Sequence, residues 1–198
     1  MGIAMRKIIL QNAVSLDGFF EGPGRDISWH RVDEELHQHM NDELSGVGGF
    51  IAGRVTHELM AEYWPAADQN PESSPAEAGF ARIWREMPKY VFSRTLTEAP
   101  WNTTVIADVV PEQIAELKAQ ATGDLVMSGA DLAGTFMRHG LIDEFRIYVQ
   151  PVVIGQGRRV FQSPDFTVDL NLVESRSFGN GVVLLRYEAS GVPSAASA

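Results

Sequence analysis

Between residues 7 and 140 short apolar runs alternate with amphipathic stretches, and this alternation limits the fold more than any other feature of the chain. "KIILQNAV" (residues 7–14) is rich in β-formers, as expected of a strand covered on both faces. Val32, Leu36, Met40 and Leu44 then recur every four positions among charges, which is one stripe of an amphipathic helix. "GGFIAG" (48–53) is a brief buried strand that leads straight into a helix, "RVTHELMAEYW". "PAADQNPESSPAEAG" (65–79), rich in Pro, Ser and Ala, reads as a long surface loop. "KYVFS" and "TTVIADV" read as two more strands, separated by the turn-prone "RTLTEAPWN". Pro111 opens a helix with Ile114, Leu117 and Ala121 on one face. "DLVMSG" is a further strand, and residues 129–138 form a helix that turns Leu132 and Phe136 inward and stops at Gly140. Beyond this point come strands without helices: "DEFRIYVQPVVI", "LNLVESRSF" and "GVVLLRYEA", the last two joined by a hairpin at Asn180-Gly181.

Strands interleaved with helices imply a parallel sheet, and the helix-free ending adds antiparallel strands at one edge. The expected fold is a three-layer α/β/α domain around one mixed sheet over residues 1–188, followed by a flexible tail at 189–198. At 198 residues and 44% hydrophobic content, the chain is large enough for one core and short for two. A net charge of -10 argues against nucleic acid or an anionic membrane as the main partner, since either needs a basic face. With no cysteine, disulfides and thiolate chemistry are excluded. The N-terminal apolar run is too short for a membrane span and lacks a signal-peptide pattern, so a cytoplasmic location is expected.

In an open α/β sheet, ligands lie at the carboxyl ends of the strands. The residues there are Ser15-Leu16-Asp17-Gly18, Gly53-Arg54-Val55-Thr56, Ser93-Arg94-Thr95 and Ser128-Gly129-Ala130. Two of these clusters begin helices, whose free N–H groups favour phosphate, and Arg54 and Arg94 add forked donors. Each is also ordinary turn chemistry. No GxGxxG follows the first strand and no GxxxxGK[ST] occurs, so the usual dinucleotide fingerprint and the P-loop are both missing. His37 and His39 point to different helix faces, and His57-Glu58 lacks the second histidine of a zinc motif; no metal is expected.

"SLDGFFEG", "GRVTHE", "FSRT" and "VMSGADLAGTFMRHGLIDEFRIYVQPVVIGQG", in that order, resemble the dihydrofolate-reductase-like family related to the reductase domain of the bacterial riboflavin-biosynthesis deaminase/reductase. The resemblance runs over residues 6–187. It implies a dihydrofolate-reductase-like fold, NADPH as cofactor, a small-molecule substrate and a homodimer. It assigns Gly53, Arg54 and Thr56 to the cofactor phosphates and Ser93, Arg94 and Thr95 to the adenosine 2′-phosphate side. Ser128, Gly129, Ala130, Asp131 and Leu132 match the turn and helix start under the pyrophosphate, with one glycine where dihydrofolate reductases carry several.

Residues 15–29 resemble the mobile loop that closes over nicotinamide and substrate. Phe19 and Phe20 there are either a lid that excludes water or plugs packed under the loop. Trp29 precedes "HRVDEEL", so Asp33 or Glu34 matches the proton-supplying carboxylate; the alternative is a pair of carboxylates favoured by the helix dipole. Asp17 is a third catalytic candidate or a turn former beside Gly18. Phe19, Trp29, Gly155 and Arg159 fall on the substrate side, where Arg158 or Arg159 either binds a substrate phosphate or belongs to a solvated loop. The expected function is hydride transfer from NADPH to a small heterocycle, a pterin or a ribosylaminopyrimidinone of the riboflavin and folate type. The alternative is a non-catalytic nucleotide- or ligand-binding protein that retains the fold.

Overall fold

The structure, a computed structural model, describes residues 6–162, 166–191 and 193–195. In chain order the strands are β1 (Ile8–Ser15), β2 (Phe19–Glu21), β3 (Val47–Gly53), β4 (Lys89–Phe92), β5 (Thr103–Ile106), β6 (Asp124–Ser128) and β7 (Glu144–Gln150). They continue with β8 (Arg158–Arg159), β9 (Phe166–Thr167), β10 (Leu170–Ser177), β11 (Val183–Ala189) and β12 (Ser194–Ala195). The helices are α1 (Glu34–Leu44), α2 (Arg54–Tyr63), α3 (Pro75–Glu86), α4 (Pro111–Gln120) and α5 (Ala130–Arg138).

Eight of the described strands form one sheet in the order β10-β11-β7-β1-β6-β3-β4-β5. The six from β7 to β5 run parallel, and β11 and β10 add antiparallel at the β7 edge. Because successive side chains alternate across a strand, β1 supplies both faces. Ile9 packs with Phe50, Val126, Leu44 of α1, and Phe80 and Ile83 of α3. Ile8 and Leu10 pack on the other face with Ile114 of α4 and Ala133, Phe136 and Met137 of α5. Phe136 is fully buried, which stabilises the fold by roughly 1.5–3 kcal/mol relative to leaving it exposed. The three-layer mixed fold expected from the sequence is what is observed.

The antiparallel edge carries a buried ionic cluster on the α1 side. Glu144, 1% exposed, lies 2.7 Å from Arg146 Nε, 2.8 Å from Arg186 Nε and 3.1 Å from Lys7 Nζ. Arg146 also reaches Glu43 of α1 at 2.6 Å.

Four expectations need correction. Residues 65–79 are not a long loop: a 3-10 helix covers Trp64–Gln69 and α3 begins at Pro75. Ser74 and Glu77 form a reciprocal capping box at its start, and α3 buries Ala76, Ala81 and Trp84. The first helix starts at Glu34 after an Asp33 cap, which leaves Val32 outside it and exposed. The loop at 15–29 contains β2, paired with β8. In the segment read as a tail, Ala189 completes β11 and Ser194–Ala195 pair with β9; residues 192 and 196–198 lie outside the described residues, as do 1–5.

Candidate functional site

β1 leaves its C-terminal end toward α1 on one face, whereas β6, its neighbour, leaves toward α5 on the other. The chain parts in opposite directions there, and such a switch point opens a crevice at the strand ends. Two helix N-termini border it. α2 follows β3 at Gly53 and α5 follows β6 at Gly129, and neither has a side-chain cap. By contrast, Asp33 caps α1, Ser74 caps α3, and α4 begins with a proline, which has no N–H to satisfy. α4 likewise lacks a side-chain cap beyond its proline, so what sets α2 and α5 apart is their place at the crevice, where their first-turn amides are open to a ligand.

Gly129 brings these ends together. Its φ of +106° and ψ of 153° are open to glycine, and a Cβ at this position would lie 3.1 Å from the Thr56 hydroxyl oxygen in the first turn of α2. The turn is held from β1: Asn12 Oδ1 accepts from Ser128 Oγ at 3.0 Å and from the Gly129 N–H at 3.1 Å. Asn12 is 3% exposed, and its Nδ2 has no protein partner. A buried amide donor left open beside two uncapped helix ends suits an anionic ligand. Ala130 is buried beneath the turn, Leu132 is half-buried against the core, and Asp131 is exposed in the first turn of α5.

Further along the strand ends, Ser93 Oγ accepts from the Thr95 and Leu96 N–H groups at 3.2 and 3.0 Å, which makes 93–96 a tight hydroxyl-held turn. Arg94 and Thr95 are exposed beyond it, and Arg94 pairs with Asp108. Arg54 turns back along α2 to Glu58, at 3.0 and 2.9 Å.

The loop over β1 is bound to a second loop 137 to 142 residues away in sequence. Asp17 accepts from the Ile154 and Gly155 N–H groups at 3.2 and 2.8 Å, while Arg159 donates to the Asp17 carbonyl at 2.8 Å. The Ser15 hydroxyl and the Gly155 and Ile154 amides hold the Asp17 carboxyl below its ordinary range, and both of its oxygens are engaged as acceptors. Phe19 is 8% exposed with the Arg159 guanidinium 4.4 Å from its ring, and Phe20 packs half-buried on the core. Both rings are thus plugs and not an exposed lid. Gly157 has a φ of +142°, and a Cβ on it would fall 2.1 Å from the Glu21 carbonyl oxygen, so only glycine permits this approach. Arg158 joins the pair of loops to α5 through Asp131, which also accepts from Gln162 at 3.0 Å.

The other carboxylates also have structural partners. Asp33 accepts from the Leu36 N–H at 3.0 Å, and Glu34 from the Ala76 N–H of α3 at 3.3 Å. Trp29 donates its indole N–H to the Asp26 carbonyl and meets His30 edge-on at 4.4 Å. Sequence reasoning missed three groups around this loop. Gln150 is fully buried at the end of β7; its Oε1 accepts from the Arg31 N–H at 2.8 Å and its Nε2 is unpartnered. His30 Nε2 is likewise buried and unpartnered, and burial lowers its pKa against the pull of Asp26. Asn12 completes the set. The signal for Asn12 and Gln150 was weak, as each is one of several polar residues in its strand, beside Gln11 in β1 and after Glu144 and Arg146 in β7.

A crevice at the switch point of a mixed sheet, rimmed by two open helix ends, defines an α/β protein of the dihydrofolate-reductase-like fold. Residues 6–184 match the family described as the RibD C-terminal domain, and the chain belongs to that family. It is 33% identical over 190 residues to the uncharacterized protein YyaP of Bacillus subtilis (strain 168), covering 96% of this chain and 98% of that one. Among solved structures it resembles a protein of Shewanella sp. PV-4 assigned to riboflavin biosynthesis, with TM-score 0.71, 21% identity and coverage of 93% and 99%. It also resembles dihydrofolate reductase from Enterococcus faecalis complexed with NADP(H), with TM-score 0.63, 13% identity and coverage of 93% and 97%. Among the described residues no helix is long and apolar enough to cross a membrane.

Proposed function

We propose that the protein is an NADPH-dependent reductase that transfers a hydride to a small heterocyclic substrate, a pterin or a pyrimidinone. The observation that carries this reading is the pair of uncapped helix ends facing each other across Gly129 and Thr56 at the switch point. Membership of the RibD C-terminal domain family supports a reductase. The residues present fit a dinucleotide: the α2 and α5 amides and Asn12 Nδ2 would meet the pyrophosphate, and Arg94 with the 93–96 turn would meet the adenosine end. When bound, the reduced nicotinamide supplies the hydride.

The chain's own residues do the rest. Gly53 and Gly129 let the backbone approach the phosphates, and the joined loops at 15–22 and 152–162 keep water from the strand ends. Gln150 and His30 offer open polar atoms to a heterocycle entering beside Trp29. Asp33 and Glu34 at the start of α1, which the resemblance matches to the proton-supplying carboxylate, are assigned proton supply, although each, like Asp17, also accepts a backbone N–H. The outer strand β10 exposes Leu172 (59%) and Val173 (49%), which supports a homodimer through that edge; sedimentation as a monomer would remove that part of the reading.

The test is a titration with NADPH, read by tryptophan and nicotinamide fluorescence, followed by NADPH oxidation with pterin and pyrimidinone substrates. Saturable binding and turnover are expected, with Glu34→Gln and Asp33→Asn lowering kcat and shifting its pH profile. Binding without turnover on any of these substrates would favour the non-catalytic alternative, and no binding would remove the reading.

A further inference from the structure

β4 and β5 pair in parallel with Phe92 opposite Ile106, and the Ser93 N–H donates to the Ile106 carbonyl at 2.9 Å. The residues leaving the two strands therefore stay side by side, and Arg94 and Asp108 meet there. Arg94 Nε and a terminal nitrogen lie 2.6 and 2.5 Å from the same Asp108 oxygen. The two side chains are 80% and 51% exposed, so folding gains little from the pair. Arg54, at the start of α2, is neutralised in the same way by Glu58. Arg94 and Arg54 are thus each matched by a carboxylate of their own chain.

We propose that Asp108 sets how narrowly this protein discriminates NADPH from NADH. The proposal rests on reading the crevice as a dinucleotide site and deepens it. A 2′-phosphate arriving at Arg94 must take the arginine from Asp108 and then sit beside that carboxylate, two negative groups a few ångströms apart. A 2′-hydroxyl meets no such penalty, because a carboxylate at a strand end accepts its hydrogen bond. Asp108 therefore weakens NADPH and helps NADH, while Arg94 acts in the opposite sense.

The experiment measures Kd for NADPH and for NADH with the full chain, by nicotinamide fluorescence at one fixed ionic strength. Wild type, Asp108→Asn and Arg94→Ala are compared; both positions are exposed, so folding is not at issue. Wild type is expected to prefer NADPH by less than about tenfold. A single charge removed a few ångströms from the phosphate in a screened setting changes affinity by about fivefold, so Asp108→Asn should widen the preference by about that factor, through tighter NADPH and equal or weaker NADH. Arg94→Ala should bring the two cofactors to about parity. An unchanged preference in Asp108→Asn, with both cofactors still binding, overturns the proposal and leaves the cofactor site standing. So does a wild-type preference for NADPH above about a hundredfold. Failure of wild type to bind either cofactor removes the dinucleotide reading itself, and this proposal with it.

Discussion

Replacing Gly129 by alanine tests the turn on which the site depends. With φ at +106° and ψ at 153°, the residue lies in a region that other L-residues enter at a cost of about 1–3 kcal/mol. The added Cβ also falls 3.1 Å from Thr56 Oγ1, a close contact but one with the end of a rotatable side chain, which adds less than about 1 kcal/mol. If the backbone relaxes, the Gly129 N–H loses Asn12, a buried partner, at about 1 kcal/mol more. Relaxation that gives up this bond also relieves part of the strain, so the net cost is about 2–3 kcal/mol, and for a chain of this length each kcal/mol lowers Tm by about 2–4 °C. Gly129→Ala should therefore melt about 5–10 °C below wild type and bind NADPH at least about tenfold more weakly, since redirected amides no longer face the ligand. Thr56→Ala in the same background removes only the contact, so most of the loss should persist. Denaturant unfolding and cofactor titration report the two effects separately. A Gly129→Ala protein within about 0.5 kcal/mol of wild type, with unchanged NADPH binding, would refute the account of the turn.

Three other outcomes are expected. Glu144→Gln leaves Arg146 buried with fewer counter-charges and should cost about 3 kcal/mol at neutral pH in urea unfolding. Burial pushes the Glu144 carboxyl up, but Arg146, Arg186 and Lys7 together hold it below its ordinary range. Its stabilising effect is thus present above the unfolded value of about 4.3 and disappears as pH falls through the lower folded value, so the mutational difference should shrink in acid. Lys89 is 2% exposed, and burial lowers its amine to about 8. Between that value and the unfolded value of about 10.4 the unfolded chain binds more protons, so stability should rise with pH by up to about 3 kcal/mol. A Lys89→Met protein should lack that rise. Ser74→Ala removes one half of the α3 capping box and should cost about 1 kcal/mol by denaturant titration, and Ser74→Thr should recover most of it.

The parallel core was legible because its signal is local. "KIILQNAV" and "DLVMSG" are short apolar runs that lie where the pattern placed them, and "DEFRIYVQPVVI" is a strand over Glu144–Gln150, shorter than expected. α3 was hidden by composition: Pro, Ser and Ala suggested a loop, although Ser74 followed three residues later by Glu77 was a readable start signal. Gly53, Thr56 and Gly129 could be placed because strand ends and helix starts follow from periodicity. Their side-chain partners could not. Arg94 could be read as a free cation until β4 and β5 paired and brought Asp108 beside it, and Asp17 as an unpartnered carboxylate until the amides of Ile154 and Gly155 closed on it. Such pairings depend on which distant segments fold together, and β2 and β8, three and two residues long, carry no periodicity to announce theirs.

The mutual grip of Asp17 and Arg159 also bears on how the protein can be altered. Each loop supplies the groups that shape the other: a carboxylate for two amides, a guanidinium for a carbonyl and a ring, and a glycine where a neighbouring carbonyl leaves no space. A segment spanning residues 15–22 transplanted alone from a relative would arrive without the surface that folded it. The two stretches form one structural unit written in two places, and redesign of the rim above β1 has to exchange both.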